Sequence, residues 1–292
     1  ILYKRLYMFR FVFLVFMFLV NITTPSVAKT FTAFILTGQS NSLGAIKGNF
    51  ASPQNMSPIP AMKFWHHNFG EYCTGTPSQS WGYVSPQYES QIVMGPEYGF
   101  SQEIQSYYSN PELIHHMGII KASRDGGGNS NWIKGHGDAY AIVLSTVEDA
   151  LRQLPAKGYD KVRIAGLLYL QGESDKGQEI ALSSVRLLNF IKNIKSDISD
   201  IKIKGLDIDI NNMIVLLGEN ASWHGIDKKF NGETTRDNLY KTAQQNKDII
   251  WVSSRDLSKI TTGDNMGVHY NGDAQLTLGK RFARAWINAY EM

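Results

Sequence analysis

Four short polar segments of this 292-residue chain carry side chains suited to acyl transfer. They are Gly38-Gln39-Ser40-Asn41, the glycine-rich run from Ser123 to Ser130 around Gly127, Gln171-Gly172-Glu173-Ser174-Asp175, and a late loop holding both Asp264 and His269. A serine hydroxyl is a poor nucleophile until a base within hydrogen-bond reach takes its proton. The base needs an acidic partner to fix its tautomer, and the tetrahedral intermediate needs donors for its oxyanion. On this reading Ser40 attacks and His269 is the base. The backbone N–H groups of Ser40 and Gly127, with the Gln171 side-chain amide, form the oxyanion hole. Gln39, Asn41, Asn129 and Trp132, in or beside these segments, are the candidates for contact with substrate. Taken alone, the first segment reads as an ordinary turn whose Ser or Asn caps the next helix. Only the four segments together point to acyl transfer.

Regular elements must bring these segments to one place. Phe31, Ala33, Phe34, Ile35 and Leu36 make an apolar run that stops at Gly38, as a buried parallel strand does. Further strands are expected from Met117 to Ala122, Val162 to Leu170, Met213 to Leu217 and Ile249 to Ser253, with a short one at Met62 to Trp65. Helices are expected from Gly95-Pro96-Glu97 through Tyr108, and over Ala139 to Leu154, Ile180 to Ile198, Arg236 to Lys247 and Asp273 to Tyr290. Strands alternating with helices predict a three-layer α/β/α sandwich with a central parallel sheet, in which ligands bind beyond the carboxyl ends of the strands. Three of the four polar segments directly follow a predicted strand. Residues 44–95 read as a long irregular region rich in aromatics (Trp65, Trp81, Tyr83, Tyr88). Those rings either stack on sugar or pin the region to the core.

Composition narrows the class. At 43% hydrophobic and 12% aromatic the chain is globular rather than disordered. Lys4, Arg5 and Arg10 precede an apolar run from Phe11 to Val20 and then Ser26-Val27-Ala28, the pattern of a secretory signal peptide over residues 1–28. The run is shorter than the roughly 20 residues a spanning helix needs. Met8 opens a more compact version of the same leader. Removing the leader leaves 26 basic against 26 acidic residues over 29–292, read as a single domain, without the basic stripe that nucleic acid requires. A secreted or periplasmic protein with no stable membrane association after cleavage is expected. Cys73 is the only cysteine, so no intramolecular disulfide supports the fold. No cofactor is called for: the glycine-rich run lacks the spacing and lysine of a P-loop. The adjacent pairs His66-His67 and His115-His116 diverge on any regular element, which argues against a metal site.

Gly38-Gln39-Ser40-Asn41, Gly127-Gly128-Asn129-Ser130, Gln171 to Asp175 and Val268-His269-Tyr270, together with Gly95-Pro96-Glu97, resemble the ordered blocks of the SGNH hydrolases. The nearest resemblance is to their carbohydrate acetylesterase branch, the sialate O-acetylesterase-like domains and carbohydrate esterase family 6, from about Thr32 to Trp286. The resemblance implies a flavodoxin-like fold and metal-independent removal of O-acetyl groups from carbohydrates. It also implies an acid three residues before the histidine. Met266 stands there, and the nearest aspartate is Asp264. The acid is thus either Asp264, reaching round through a bulge at Gly267, or Glu173 from the neighbouring strand end. Two other readings are a carbohydrate-binding protein without turnover on the same fold, and an SGNH lipase or thioesterase with a different acyl preference.

Overall fold

The computed structural model describes residues 29–46, 59–67, 80–85, 93–221, 227–260 and 267–291. In chain order its elements begin with β1 (Thr30–Gly38), α1 (Ser40–Leu43), β2 (Ala45–Ile46), β3 (Ile59–His66), β4 (Gly82–Val84) and β5 (Val93–Met94). There follow α2 (Pro96–Tyr107), α3 (Pro111–His115), β6 (Met117–Lys121), α4 (Asp138–Arg152) and β7 (Lys161–Leu170). The chain continues through α5 (Gln178–Asp200), β8 (Asp207–Asp209), β9 (Ile214–Gly218), α6 (Thr235–Gln245), β10 (Ile249–Val252) and α7 (Gly272–Tyr290). The main sheet runs β10-β9-β7-β1-β6-β3-β4, with β8 added beside β7. All of its pairings are parallel except that of β4 with β3. β2 and β5 form a separate antiparallel pair.

β1 is central because both of its faces are apolar. Phe31, Ala33 and Ile35 face the layer built by α4, α5 and α6, whereas Phe34 and Leu36 face the layer of α2 and α7. Phe100 and Trp286 meet Phe34 edge-on, with ring centroids 4.8 and 4.9 Å away. The helices bury matching stripes at helical spacing: Val143, Val147 and Leu151 on α4, Leu187, Ile191, Ile194 and Ile198 on α5, and Leu278, Phe282 and Trp286 on α7. Asn271 caps α7 by accepting from Ala274 N at 2.9 Å, and Thr234 caps α6 by accepting from Asp237 N at 3.0 Å. The result is the three-layer, mostly parallel flavodoxin-like sandwich expected from the alternation of elements. β1 pairs with β6 on one side and β7 on the other, so the segment after β1 sits where crossovers leave in opposite directions, the usual ligand crevice of such sheets.

The region from 44 to 95 contains more order than its composition suggests. Met62 to Trp65 belong to the eight-residue β3, which pairs with β6 and carries β4 at the sheet edge. Trp65 and Trp81 are only 5% and 7% exposed, and the Trp81 indole donates to Ala150 O at 2.9 Å. These two rings pin the region to the core and are not open to stack on a sugar. Tyr88, Cys73 and the leader lie outside the described residues. Among the described residues no helix is long and apolar enough to cross a membrane, and no cluster of three His, Cys, Asp or Glu side chains is placed to hold a metal ion.

Candidate active site

The Gly38-to-Asn41 segment is shaped by a close approach of strands. Gly38 ends β1 with φ +138, and a Cβ there would fall 1.9 Å from Leu170 O on β7, so only glycine fits. Gln39 N then donates to Leu170 O at 2.9 Å, and the chain turns at once into α1 with Ser40 as its first residue. The far end of α1 is gripped from below. Lys121, fully buried at the end of β6, donates to Leu43 O at 2.5 Å and pairs with the equally buried Glu97 of the Gly-Pro-Glu segment at 2.9 Å.

Ser40 and His269 come together: His269 Nε2 lies 2.7 Å from Ser40 Oγ. The serine hydroxyl donates in this bond when the imidazole carries its proton on Nδ1. His269 is held by its neighbours rather than by its own ring alone. Asn41, next to the nucleophile, accepts from Tyr270 N at 3.0 Å and donates to Val268 O at 3.1 Å, bracketing the histidine on both sides. His269 O accepts from Ile260 N at 2.8 Å, which fixes the same stretch from the opposite strand of chain. Burial lowers the His269 pKa from its ordinary 6.5, opposed in part by the charge of Asp125. A lowered pKa keeps the ring neutral, and therefore able to act as a base, as pH falls through 6.5. The acid limb of kcat/KM is accordingly expected below that value, and a rate profile over about pH 4 to 9 checks it.

Glu173 stands one step behind this pair. Its Oε1 accepts from Asn41 Nδ2 at 2.8 Å and from Ala221 N at 3.0 Å, while its buried Oε2 meets no donor. Burial pushes the carboxyl upward, against those two donors. Neither of its oxygens is bonded to His269. Asp264 lies outside the described residues, and among the described residues no group is hydrogen-bonded to His269 Nδ1. Asp125, whose charge His269 feels, drew no role from the sequence. It sits in the glycine-rich segment, and only the folding of that segment against the histidine loop reveals it.

The other expected site residues form the frame of the crevice. Asp175 is the hub: it accepts from Gln171 Nε2 at 2.7 Å, Asn129 N at 2.9 Å, Asn129 Nδ2 at 2.7 Å and Thr235 Oγ1 at 2.9 Å. Burial pushes its pKa up to about 6 in spite of these donors. One N–H of the Gln171 amide is thus committed to Asp175. Gly127 takes φ +78, and a Cβ there would meet Asn131 Nδ2 at 2.2 Å, so this turn favours glycine. The N–H groups of Ser40 and Gly127 donate to no other described group.

The four candidates for substrate contact each have partners within the protein. Gln39 accepts from Gly172 N at 3.2 Å and Ser174 N at 3.3 Å and braces the loop after β7. Asn41 is consumed by the bracket around His269. Asn129 gives its amide to Asp175 and Glu179 O and takes Arg186 Nη1 at 2.6 Å. Trp132 is 2% exposed, edge-on to Tyr169, with no face open to a ligand. Polar residues at strand ends carried the signal that located the crevice, but that signal does not separate those that face it from those that build it.

A family described as carbohydrate esterase, sialic acid-specific acetylesterase matches residues 30–288 of the chain. Several solved structures share the fold. NanS superposes with a TM-score of 0.63 at 13% identity, over 91% of this chain and 99% of its own. A protein from Arabidopsis thaliana gives 0.60 at 18% identity, over 88% and 98%. XAC1771, a carbohydrate acetylesterase from Xanthomonas citri, gives 0.59 at 12% identity, over 89% of this chain and 56% of that one. No curated protein matches at a significant level. With the family matched across nearly all of the sandwich, the chain belongs to the sialic acid-specific acetylesterase family of carbohydrate esterases, and it is an SGNH-type carboxylic ester hydrolase.

Proposed function

We propose that this protein removes O-acetyl groups from saccharides through an acyl-enzyme on Ser40. The observation that carries the reading is the 2.7 Å contact between Ser40 Oγ and His269 Nε2 at the carboxyl end of the central strand. In the first half-reaction Ser40 Oγ bonds to the acetyl carbon as His269 takes its proton. The negative carbonyl oxygen is met by the N–H groups of Ser40 and Gly127 and by the free N–H of Gln171. The sugar oxygen then leaves with the proton from His269. Water, deprotonated by the same histidine, releases acetate and restores the serine. Asp264 serves as the acid behind His269, a role supported by its place in the same loop and by the commitment of Glu173 to Asn41 and Ala221. Glu173 is a positioning group. The enzyme works outside the cytoplasm, after removal of residues 1–28.

A series of aryl esters of increasing acyl length tests the proposal. Acetate should be the best substrate, with kcat/KM falling as the chain lengthens. Absence of acetate turnover would defeat the esterase reading, and preference for long chains would defeat the acetyl assignment.

A further inference from the structure

A second depression lies along the same edge of the sheet, and none of the residues that line it is placed at Ser40. It is a cleft of about 460 Å³ between the carboxyl ends of β9 and β10 and the first two turns of α6. That size is in the range of small-molecule sites. β10 lies three strands from β1, about 14 Å at the usual strand spacing, a distance that a short oligosaccharide spans and a single sugar ring does not.

The lining suits a neutral polyhydroxyl ligand. Tyr240 and Trp251 meet edge-to-face, centroids 5.4 Å apart at 79°, and make a corner with two apolar faces. Tyr240 is 47% exposed, which leaves part of its ring open to a ligand. Around this corner stand Arg236 and Arg255 against Glu219 and Asp237, a balanced set that favours neither an anion nor a cation. Glu219 accepts from Ser253 Oγ at 2.7 Å and from Arg255 Nε at 3.1 Å, which fixes the polar wall. The Arg255 side chain is otherwise 75% exposed, with the outer edge of its guanidinium open to hydroxyl oxygens. Arg236 joins this cleft to the reaction centre. It also lines the small hollow beside Glu173 and Asn220, and its Nη2 donates to Asn220 O at 2.9 Å.

We infer that this cleft is a distal saccharide subsite, so that the preferred substrate is an acetylated oligosaccharide or polymer rather than an acetylated monosaccharide. The inference rests on the saccharide esterase reading above. The test compares kcat/KM on partially O-acetylated xylo- and manno-oligosaccharides of graded length with that on an aryl acetate. In the wild type, kcat/KM should rise with oligosaccharide length. Tyr240→Ala should lower the ratio of long-oligosaccharide to aryl acetate kcat/KM by about 10-fold, mainly through KM, and Tyr240→Phe should restore it. Arg255→Ala should lower the same ratio by a smaller factor. An aryl acetate turned over with no dependence on oligosaccharide length, or a length dependence that survives Tyr240→Ala, would overturn the subsite alone. Failure to turn over the aryl acetate would overturn the esterase reading on which it rests.

Discussion

Ser40→Ala is expected to lower kcat for aryl acetate hydrolysis by about 10⁵-fold or more, down to the residual rate that binding and oxyanion donors support without a nucleophile. The effect is large because, in the proposed mechanism, the hydroxyl is the group that forms and breaks the covalent bond. It should also be confined to the chemistry. Ser40 makes one side-chain hydrogen bond, to His269, and the helix α1 that carries it is held by Gln39, Leu43 and Lys121. Loss of that bond costs roughly 1 kcal/mol, so the melting temperature should move by only a few degrees. Steady-state kinetics and a thermal melt on the same preparation check both halves. Retained activity would remove Ser40 from the mechanism.

Asn41→Asp should damage both stability and rate although Asn41 touches no reacting atom. The side chains are nearly the same shape, but the amide donates both to Glu173 Oε1 and to Val268 O while accepting from Tyr270 N. A carboxylate there can accept from Tyr270 N and can donate to neither partner. It also faces the buried Glu173 carboxyl, whose remaining oxygen already lacks a donor. Stability is expected to fall by about 3 kcal/mol, since buried acceptors are left unpaired and like charges are brought together. With Val268 released, His269 loses half of its bracket. A shift of about 1 Å in the base can cost about 10²-fold in kcat. Urea unfolding and kcat measured together would separate these contributions. A variant as stable and active as the wild type would show that the bracket does not position the histidine. The orienting acid is distinguished in the same assay: Asp264→Asn should cost up to about 10⁴-fold in kcat if it fixes the imidazole tautomer, and Glu173→Gln considerably less.

The sequence made the architecture legible because its elements carry strong and different periods. Leu187, Ile191, Ile194 and Ile198 repeat at helical spacing, whereas Val162 to Leu170 is a strand buried for most of its length, and these two patterns are hard to confuse. β4, β5 and β8 were not legible, being two or three residues long with no period to read. The pairing of Ser40 with His269 was legible from residue type and position after a strand. The roles of Asn41, Asn129 and Gln39 were not. A polar side chain at a strand end looks the same in sequence whether it faces substrate or knits two loops together, and the difference lies in partners some 50 to 230 residues away. Asp175 shows this most clearly. Its neighbours in sequence give no sign that it gathers Gln171, Asn129 and Thr235 from three separate elements, yet this buried carboxylate sets the spacing between the glycine-rich loop and the loop after β7.

The buried Lys121–Glu97 pair extends the same logic to the nucleophile. Removing one partner of a fully buried pair leaves an uncompensated charge, so neither residue is easily replaced alone. Its bond to Leu43 O ties the end of β6 to the end of α1, and α1 in turn sets the height of Ser40 above the sheet. Three buried carboxyl groups thus brace these segments, Glu97 through Lys121, Glu173 through Asn41, and Asp175 through Gln171 and Asn129.

The central claim is that Ser40 becomes covalently acylated. Its most direct test is peptide mass spectrometry of the protein after reaction with an activated phosphonate ester that mimics the tetrahedral intermediate. The account predicts one adduct per chain, on the peptide containing Ser40, blocked by prior occupancy with a slow acetyl ester and absent from Ser40→Ala. An active enzyme that takes up no adduct, or carries it on another residue, would contradict it.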